Sequence, residues 1–113
     1  MLKLFQKFFR SNKLLIILTT ESNYKNAKHL ADSILKLNLA ACISLHEINS
    51  NYWWNGDLIE TKEIQLFIKT SKNSLGPILK AVRKSHSYQN PEIIHWEASG
   101  SSKYVNWLNS VVN

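Results

Sequence analysis

An Asn-Gly pair at positions 55 and 56 separates two stretches in which apolar and polar residues alternate. Both residues of such a pair readily adopt positive φ, which the two-residue turn of a β-hairpin requires. Residues 39–48 before the pair and 64–69 after it follow the two-residue period of a strand. The sequence therefore predicts one long antiparallel hairpin, with strands over residues 39–54 and 57–71.

The remaining segments supply two more strands and three helices. Leu14–Leu18 is apolar on all sides, which is typical of a buried central strand. Apolar residues at helical spacing follow Ser22-Asn23 and Asn73-Ser74, and either residue of each pair can cap a helix. The predicted elements are, in chain order, strand 13–20, helix 23–37, strands 39–54 and 57–71, helix 74–85, strand 91–98 and helix 102–111.

The first six elements occur in the order β-α-β-β-α-β, which predicts an α+β, ferredoxin-like fold. In that fold a four-stranded antiparallel sheet carries two helices on one face, and the last helix is an addition at the C-terminus. We expect strand 91–98 to be a core strand. The inward residues of the last helix are predicted to be Tyr104, Trp107, Leu108 and Val111.

A chain of 113 residues has the size of one domain, which we place over residues 13–113. The hydrophobic fraction of 44% excludes intrinsic disorder. Residues 1–12 are basic and aromatic, and we interpret them as a frayed extension or a short surface helix. The longest strongly apolar run, Leu14–Leu18, is too short to span a membrane. One cysteine, Cys42, cannot form an intrachain disulfide, so a reducing cytoplasm is the expected location and Cys42 is expected to be a buried small residue.

The net charge of +6 is concentrated near the N-terminus, because four of the 14 basic residues lie in the first thirteen positions. From position 14 onward ten basic residues remain against eight acidic ones, so the body of the protein is nearly neutral. Because a nucleic-acid binder usually carries its excess charge in the folded body, we expect no nucleic-acid partner. The basic residues between Lys69 and Lys84 are interpreted as a solvated helix face.

No catalytic signature occurs in the sequence: there is no nucleophile elbow, no phosphate-binding glycine loop and no Cys or His pair at zinc spacing. The acids Asp57, Glu60 and Glu63 follow the hairpin turn and are interpreted as a solvated strand edge. His86 lies in a predicted loop, where a single histidine is more often a hydrogen-bonding residue than a metal ligand.

Three adjacent aromatic residues, Tyr52, Trp53 and Trp54, stand near the predicted hairpin tip. On a strand they point to both faces of the sheet, and a sheet with helices on one face cannot easily bury both sets. Either a partner covers them or a helix folds over the tip. We favour the first, self-association, because aromatic side chains are enriched at interfaces.

Five segments in register resemble the CutA family of divalent-cation tolerance proteins, over about residues 14–110. They are Ala40-Ala41-Cys42; Ser50, Tyr52, Trp54 and Gly56; Glu63 with Lys69-Thr70; His86, Tyr88, Pro91 and Glu92; and Tyr104 with Trp107. The resemblance implies a cytoplasmic homotrimer of ferredoxin-like subunits whose long hairpins pair between subunits. It also implies a link to tolerance of copper or other divalent metals, with no enzymatic reaction and no required cofactor.

The same resemblance assigns metal ligands to three positions, of which only one holds a good ligand here. Thr19 and Ser85 stand at two of them, and His86 at the third. We therefore expect divalent metal such as copper to bind weakly, through His86 with Glu92 assisting. Two other roles stay open: small-ligand signalling, as in the similar PII-type trimers, or a structural trimer that organises partner proteins.

Overall fold

The structure, a computed structural model, describes residues 12–113. Its elements are β1 (Lys13–Glu21), α1 (Tyr24–Lys36), β2 (Cys42–Trp54), β3 (Asp57–Thr70), α2 (Leu75–Ser85), β4 (Ile93–Ser99) and α3 (Ser102–Val111), with a 3-10 turn over Lys72–Ser74. All seven predicted elements are present, and the largest difference in a boundary is the start of β2, predicted at residue 39. The predicted extension over residues 1–12 lies outside the described residues, apart from Asn12.

The four strands form one antiparallel sheet in the order β2-β3-β1-β4, and the sequence order of elements makes this a ferredoxin-like fold with an added C-terminal helix. In the centre of the sheet β1 pairs with β3, so that Ile17 lies opposite Ile68. At the hairpin turn Asn55 and Gly56 have φ of 50° and 82°, as the Asn-Gly pair predicts. The register is continuous from there to Cys42, which lies opposite Lys69.

The two faces of the sheet are covered unequally. On one face α1 and α2 pack on alternate residues of the central strands, and this main core is built from Leu15, Ile17, Ala27, Leu30, Ala31, Ile34, Ala40, Ile64, Leu66, Ile68, Ile78 and Val82. On the other face α3 covers one end of the sheet, where Val105 and Leu108 pack on Leu14 and Ile16 of β1, with Phe67 of β3 and Ala98 of β4 beside them. The rest of this second face, which we call the open face, is free of helices within the described residues.

The small footprint of α3 corrects the prediction for that helix. Only Val105 and Leu108 are buried, whereas Trp107 is 46% exposed and Val111 is 36% exposed. Because the helix packs only on the end of the sheet around Leu14 and Ile16, a narrow stripe centred on Val105 and Leu108 suffices to cover this patch. The prediction that Trp107 and Val111 face inward is therefore wrong.

Two further expectations about burial are also wrong. Strand β4 is an edge strand rather than a core strand, and its large residues Ile94 and Trp96 are half-exposed on the open face. Cys42, expected to be buried, is partly exposed and lies 3.7 Å from the ammonium group of Lys69. Both differences follow from the strand order, which leaves β2 and β4 at the edges of the sheet.

The outer part of the hairpin extends beyond the rest of the fold. Because β1 pairs with β3 only from Ile64 onward, residues 57–63 of β3 have β2 as their one strand partner in the described chain. The radius of gyration is 16.0 Å, against about 13 Å for a compact domain of this size. No helix among residues 12–113 is long and apolar enough to cross a membrane.

Candidate functional site

His86 lies at the end of α2 and is almost completely buried, with its side chain 1% exposed. The backbone N–H of Tyr88 donates to Nδ1 over 3.0 Å, so Nδ1 is the nitrogen without a proton. Nε2 therefore carries the proton and donates to the carbonyl oxygen of Thr20, 2.5 Å away, with the hydroxyl of Thr19 at 3.4 Å. Both ring nitrogens of His86 are thus engaged in hydrogen bonds within the protein.

Glu21, at the end of β1, is a completely buried carboxylate beside this histidine. Its Oε1 accepts from the backbone N–H of Ser22 over 3.0 Å and from the hydroxyl of Ser87. Its Oε2 accepts from the backbone N–H of Ser87 over 2.9 Å and lies 3.5 Å from Nδ1 of His86. These bonds fasten the loop of residues 86–92 to the end of the central strand.

Glu63 is also buried, being 7% exposed, which contradicts its interpretation as part of a solvated edge. The cause is Tyr88, whose hydroxyl donates to Oε2 of Glu63 over 2.7 Å. Burial raises the pKa of Tyr88, and the Glu63 carboxylate that accepts the hydrogen bond of this hydroxyl raises the pKa further. The loop after α2 is therefore attached at two places, to β1 through Glu21 and to β3 through Glu63.

An open cleft of about 820 Å³ lies between this loop and the outer hairpin. The hairpin wall uses alternate residues of each strand, so that Tyr52 and Trp54 of β2 share a face with Ile59 and Glu63 of β3. The residues that line the cleft are Thr20, Ser50, Asn51, Tyr52, Trp54, Ile59, Glu63, Ser87, Tyr88, Gln89, Asn90 and Glu92. A volume of this size is in the range of small-molecule sites in proteins.

The structure separates the two residues predicted to bind metal. Glu92 lines the cleft, whereas His86 is not among the lining residues and is held against Thr20. Thr19 is buried beside His86, and Ser85 is partly buried at the end of α2. Within residues 12–113 no three side chains of the types His, Cys, Asp or Glu converge in a way that could hold a metal ion. Weak binding through His86 and Glu92 stays a prediction.

The three aromatic residues of the hairpin tip divide between the two faces. Tyr52 and Trp54 face the cleft, whereas Trp53, 73% exposed, points the other way and lies opposite the exposed Leu58. No helix in the described chain covers the tip, because α3 packs near Leu14 at the opposite end of β1. The suggested fold of a helix over the tip is therefore absent from residues 12–113.

Sequence reasoning singled out His86, Glu92 and the aromatic tip, but missed Glu21 as the residue that anchors the loop and misplaced Glu63. Glu63 had a usable signal, since it belongs to one of the matched family segments. Glu21 had only a weak signal: it is the one acid in β1, whose other residues are apolar apart from Lys13 and two threonines. Its partners in the loop are more than sixty residues away, so local sequence does not reveal the contact.

Comparison with known proteins gives consistent matches over almost the whole described chain. The family model described as CutA1 divalent ion tolerance protein matches residues 15–111. The divalent-cation tolerance protein CutA of Pectobacterium atrosepticum is 35% identical over 97 residues, covering 84% of this chain and 88% of its own. The protein of the same name from Thermotoga maritima is 29% identical over 100 residues, covering 88% and 99%.

Solved structures match the fold equally well. The crystal structure of CutA1 from Oryza sativa has a TM-score of 0.85 at 33% identity and covers 89% of this chain and 94% of its own. A protein from Archaeoglobus fulgidus, described as a periplasmic divalent cation tolerance protein CutA, has a TM-score of 0.85 at 25% identity, covering 89% and 99%.

Proposed function

The chain belongs to the CutA1 family of divalent-ion tolerance proteins, and on that premise we propose that it acts in divalent-cation tolerance as a homotrimer that binds its ligand without catalysing a reaction. The observation that carries the proposal is the family match over residues 15–111. A role without catalysis is supported by the buried groups at the loop, because Glu21, His86 and Thr19 are engaged with one another and with the backbone and are closed to solvent.

The shape of the hairpin supports the trimeric state. A two-stranded ribbon is at best marginally stable in water by itself, and here its tip exposes Trp53 and Leu58 on one face and Trp54 on the other. Both sheet edges, β2 and β4, also present backbone groups without a strand partner in the described chain. A second copy that packs on the tip and on these edges would bury the exposed aromatic side chains and supply hydrogen-bond partners for the edge strands.

For the cation itself we propose weak binding shared between His86 and Glu92. A soft or borderline ion such as copper prefers three or four thiolate or imidazole ligands, and His86 is the one good ligand at the family's positions. To bind a metal, His86 must give up its hydrogen bond with either Thr20 or Tyr88, which costs about 1–3 kcal/mol. We therefore propose micromolar or weaker affinity, with a cytoplasmic location and no nucleic-acid partner as further predictions.

A second candidate function is small-ligand sensing, and the cleft is the observation that favours it. Its volume of about 820 Å³ and its mixed aromatic and polar lining are typical of sites for small molecules. The two candidates are compatible, because a tolerance protein can respond to a ligand other than the metal.

Native mass spectrometry of the full chain, purified without added metal, tests the proposal. We expect a mass three times that of the 13.1 kDa chain, and after addition of copper a loosely bound ion that chelator removes. A monomer at micromolar concentration would reject the trimer. Copper retained through purification with a chelator would reject weak binding. Loss of copper tolerance in cells that lack the gene would support the role in divalent-cation tolerance.

A further inference from the structure

We propose that the outward side of α1 and α2 is a docking site for an acidic segment of a partner protein. We call this side, formed by the solvent-facing side chains of residues 24–37 and 72–85, the outer helix surface. It lies across the sheet from the open face and apart from the hairpin tip and the sheet edges, where we place the contacts of the trimer. It therefore stays accessible in the assembly, and the inference goes beyond the proposed function because it needs neither copper nor the cleft.

The charge of the protein is divided between two parts of the fold. Three of the 14 basic residues precede residue 12, and of the remaining eleven seven lie on the outer helix surface, together with one of the eight acids. The sheet, the loops and α3 hold the other four basic residues and seven acids. The nearly neutral body is therefore a strongly basic helix layer and an acidic remainder, and a surface of one sign attracts a partner of the opposite sign. The seven basic residues, all exposed, are Lys25, Lys28, Lys36, Lys72, Lys80, Arg83 and Lys84.

These basic side chains have almost no carboxylate partners in the protein itself. The single acid of the surface, Asp32, lies one helical turn from Lys28 and pairs with it at 2.5 Å. None of the other six forms an ion pair within residues 12–113, and residues 1–11 contain no acid. Six positive charges are therefore available to an acidic partner.

The basic residues of α2 form one continuous stripe. Lys80, Arg83 and Lys84 are spaced by three and four residues, so they share one side of the helix. Ile78 and Val82 are buried on the other side. Like charges at this spacing repel one another, and carboxylates that bind between them would relieve the repulsion.

The stability of the helices does not account for all of these charges. The helix dipole favours a cation in the last turn, which is where Lys36, Arg83 and Lys84 lie. Lys25 lies in the first turn of α1, and Lys72 lies in the 3-10 turn that precedes α2. At these positive ends the dipole disfavours a cation, and neither helix has an acid in its first turn. An acidic partner gives these two lysines a role that the fold does not.

Two features favour a protein segment over a nucleic acid or a bilayer. Among the seven basic residues only Arg83 has the planar fork that binds a phosphate through two hydrogen bonds. The large exposed apolar side chains of the surface are Tyr24, 61% exposed, and Leu37, 58% exposed, at the two ends of α1. Because the helix between them is about 20 Å long, they do not form the continuous apolar face that inserts into a bilayer. Separate apolar anchors among polar residues are typical of protein interfaces.

Fluorescence anisotropy with a labelled copolymer of glutamate and tyrosine, added to the full-length protein, tests the proposal. We expect saturable binding at low ionic strength that weakens as salt is added, because salt screens exposed charges. Absence of binding at low ionic strength would overturn the proposal. A thymidine oligonucleotide or phosphatidylserine vesicles that displace the label at a lower concentration of negative charge than unlabelled copolymer does would overturn the assignment to a protein partner.

Two variants that remove the same charge locate the site. The first removes the stripe on α2, and its substitutions are Lys80→Gln, Arg83→Gln and Lys84→Gln. The matched control removes three charges outside the outer helix surface, and its substitutions are Lys13→Gln, Lys62→Gln and Lys103→Gln. We expect the first variant to bind the copolymer about tenfold more weakly and the control to change binding by less than about twofold. Equal losses would show attraction to the net charge of the chain and would overturn the proposal.

A pair of aromatic substitutions tests the anchor. Tyr24→Ala should weaken binding about threefold, whereas Trp107→Ala changes an exposed aromatic residue on α3 and should leave binding unchanged. Equal losses in these two variants would place the partner on another surface and overturn the assignment. Native mass spectra and a copper titration of the same samples separate this inference from the proposed function. Intact trimers that bind copper but no copolymer would overturn the inference alone, whereas copolymer binding by a protein that ignores copper would support it.

Discussion

The buried carboxylate of Glu21 is the most sharply testable structural element of the site. Glu21→Ala removes the acceptor of three hydrogen bonds, from the backbone N–H groups of Ser22 and Ser87 and from the Ser87 hydroxyl. Hydrogen bonds to a charged group are worth about 1.5–3 kcal/mol each. Because Ser22 and Ser87 are exposed and water can replace part of this loss, we expect a destabilisation of about 3–5 kcal/mol.

Chemical denaturation at one fixed protein concentration measures the effect, since the stability of an oligomer depends on concentration. Glu21→Gln keeps one acceptor oxygen, so this variant should lose less stability, about 2 kcal/mol. The matched control is Glu47→Ala on the exposed part of β2, where the ion pair with Lys62 is long, at 3.7 Å, and largely solvated. We expect the control to change stability by less than about 0.5 kcal/mol. If Glu21→Ala costs no more than this control, the loop is not anchored as we argue.

Three further predictions concern the loop and the hairpin. Because the pKa of Tyr88 is raised, the folded protein keeps this proton to a higher pH than the unfolded chain does, so the free energy of unfolding falls as pH rises above about 10. Tyr88→Phe should flatten this fall when denaturation curves are measured at several pH values. Replacing Trp53 and Trp54 together by Ala should shift the trimer towards monomer in light scattering; an equally stable trimer would contradict the predicted interface. Copper calorimetry should give micromolar or weaker affinity that His86→Ala lowers further, whereas nanomolar binding would contradict the ligand assignment.

The hairpin and the order of elements could be predicted because their signals are local. The Asn55-Gly56 turn selects its own geometry, and alternation in both arms sets the register from there. The apolar run Leu14–Leu18 predicted a central strand correctly, since a strand buried on both faces needs apolar residues at every position. In these segments the local sequence pattern and the position of the strand in the sheet favour the same structure.

The errors arose where burial depends on distant residues. Whether β4 is a core strand depends on which strands flank it, and nothing within residues 91–98 encodes that order. The buried stripe of α3 is narrow because its sheet patch is small, so Trp107 stays exposed although its spacing fits an inward face. Glu63 is buried only because Tyr88, twenty-five residues later, closes over it.

The loop of residues 86–92 connects the two proposed binding functions physically. Its first residue, His86, must release Thr20 or the backbone of Tyr88 before it can take a metal, and the side chain of Tyr88 is at the same time a wall of the cleft. A metal that takes Nδ1 therefore loosens the Tyr88 ring that lines the cleft, whereas a metal that takes Nε2 leaves the hydrogen bond from the Tyr88 backbone intact. The choice of nitrogen decides whether the two ligands oppose each other or bind independently, because coupling requires that one ligand change a contact the other uses.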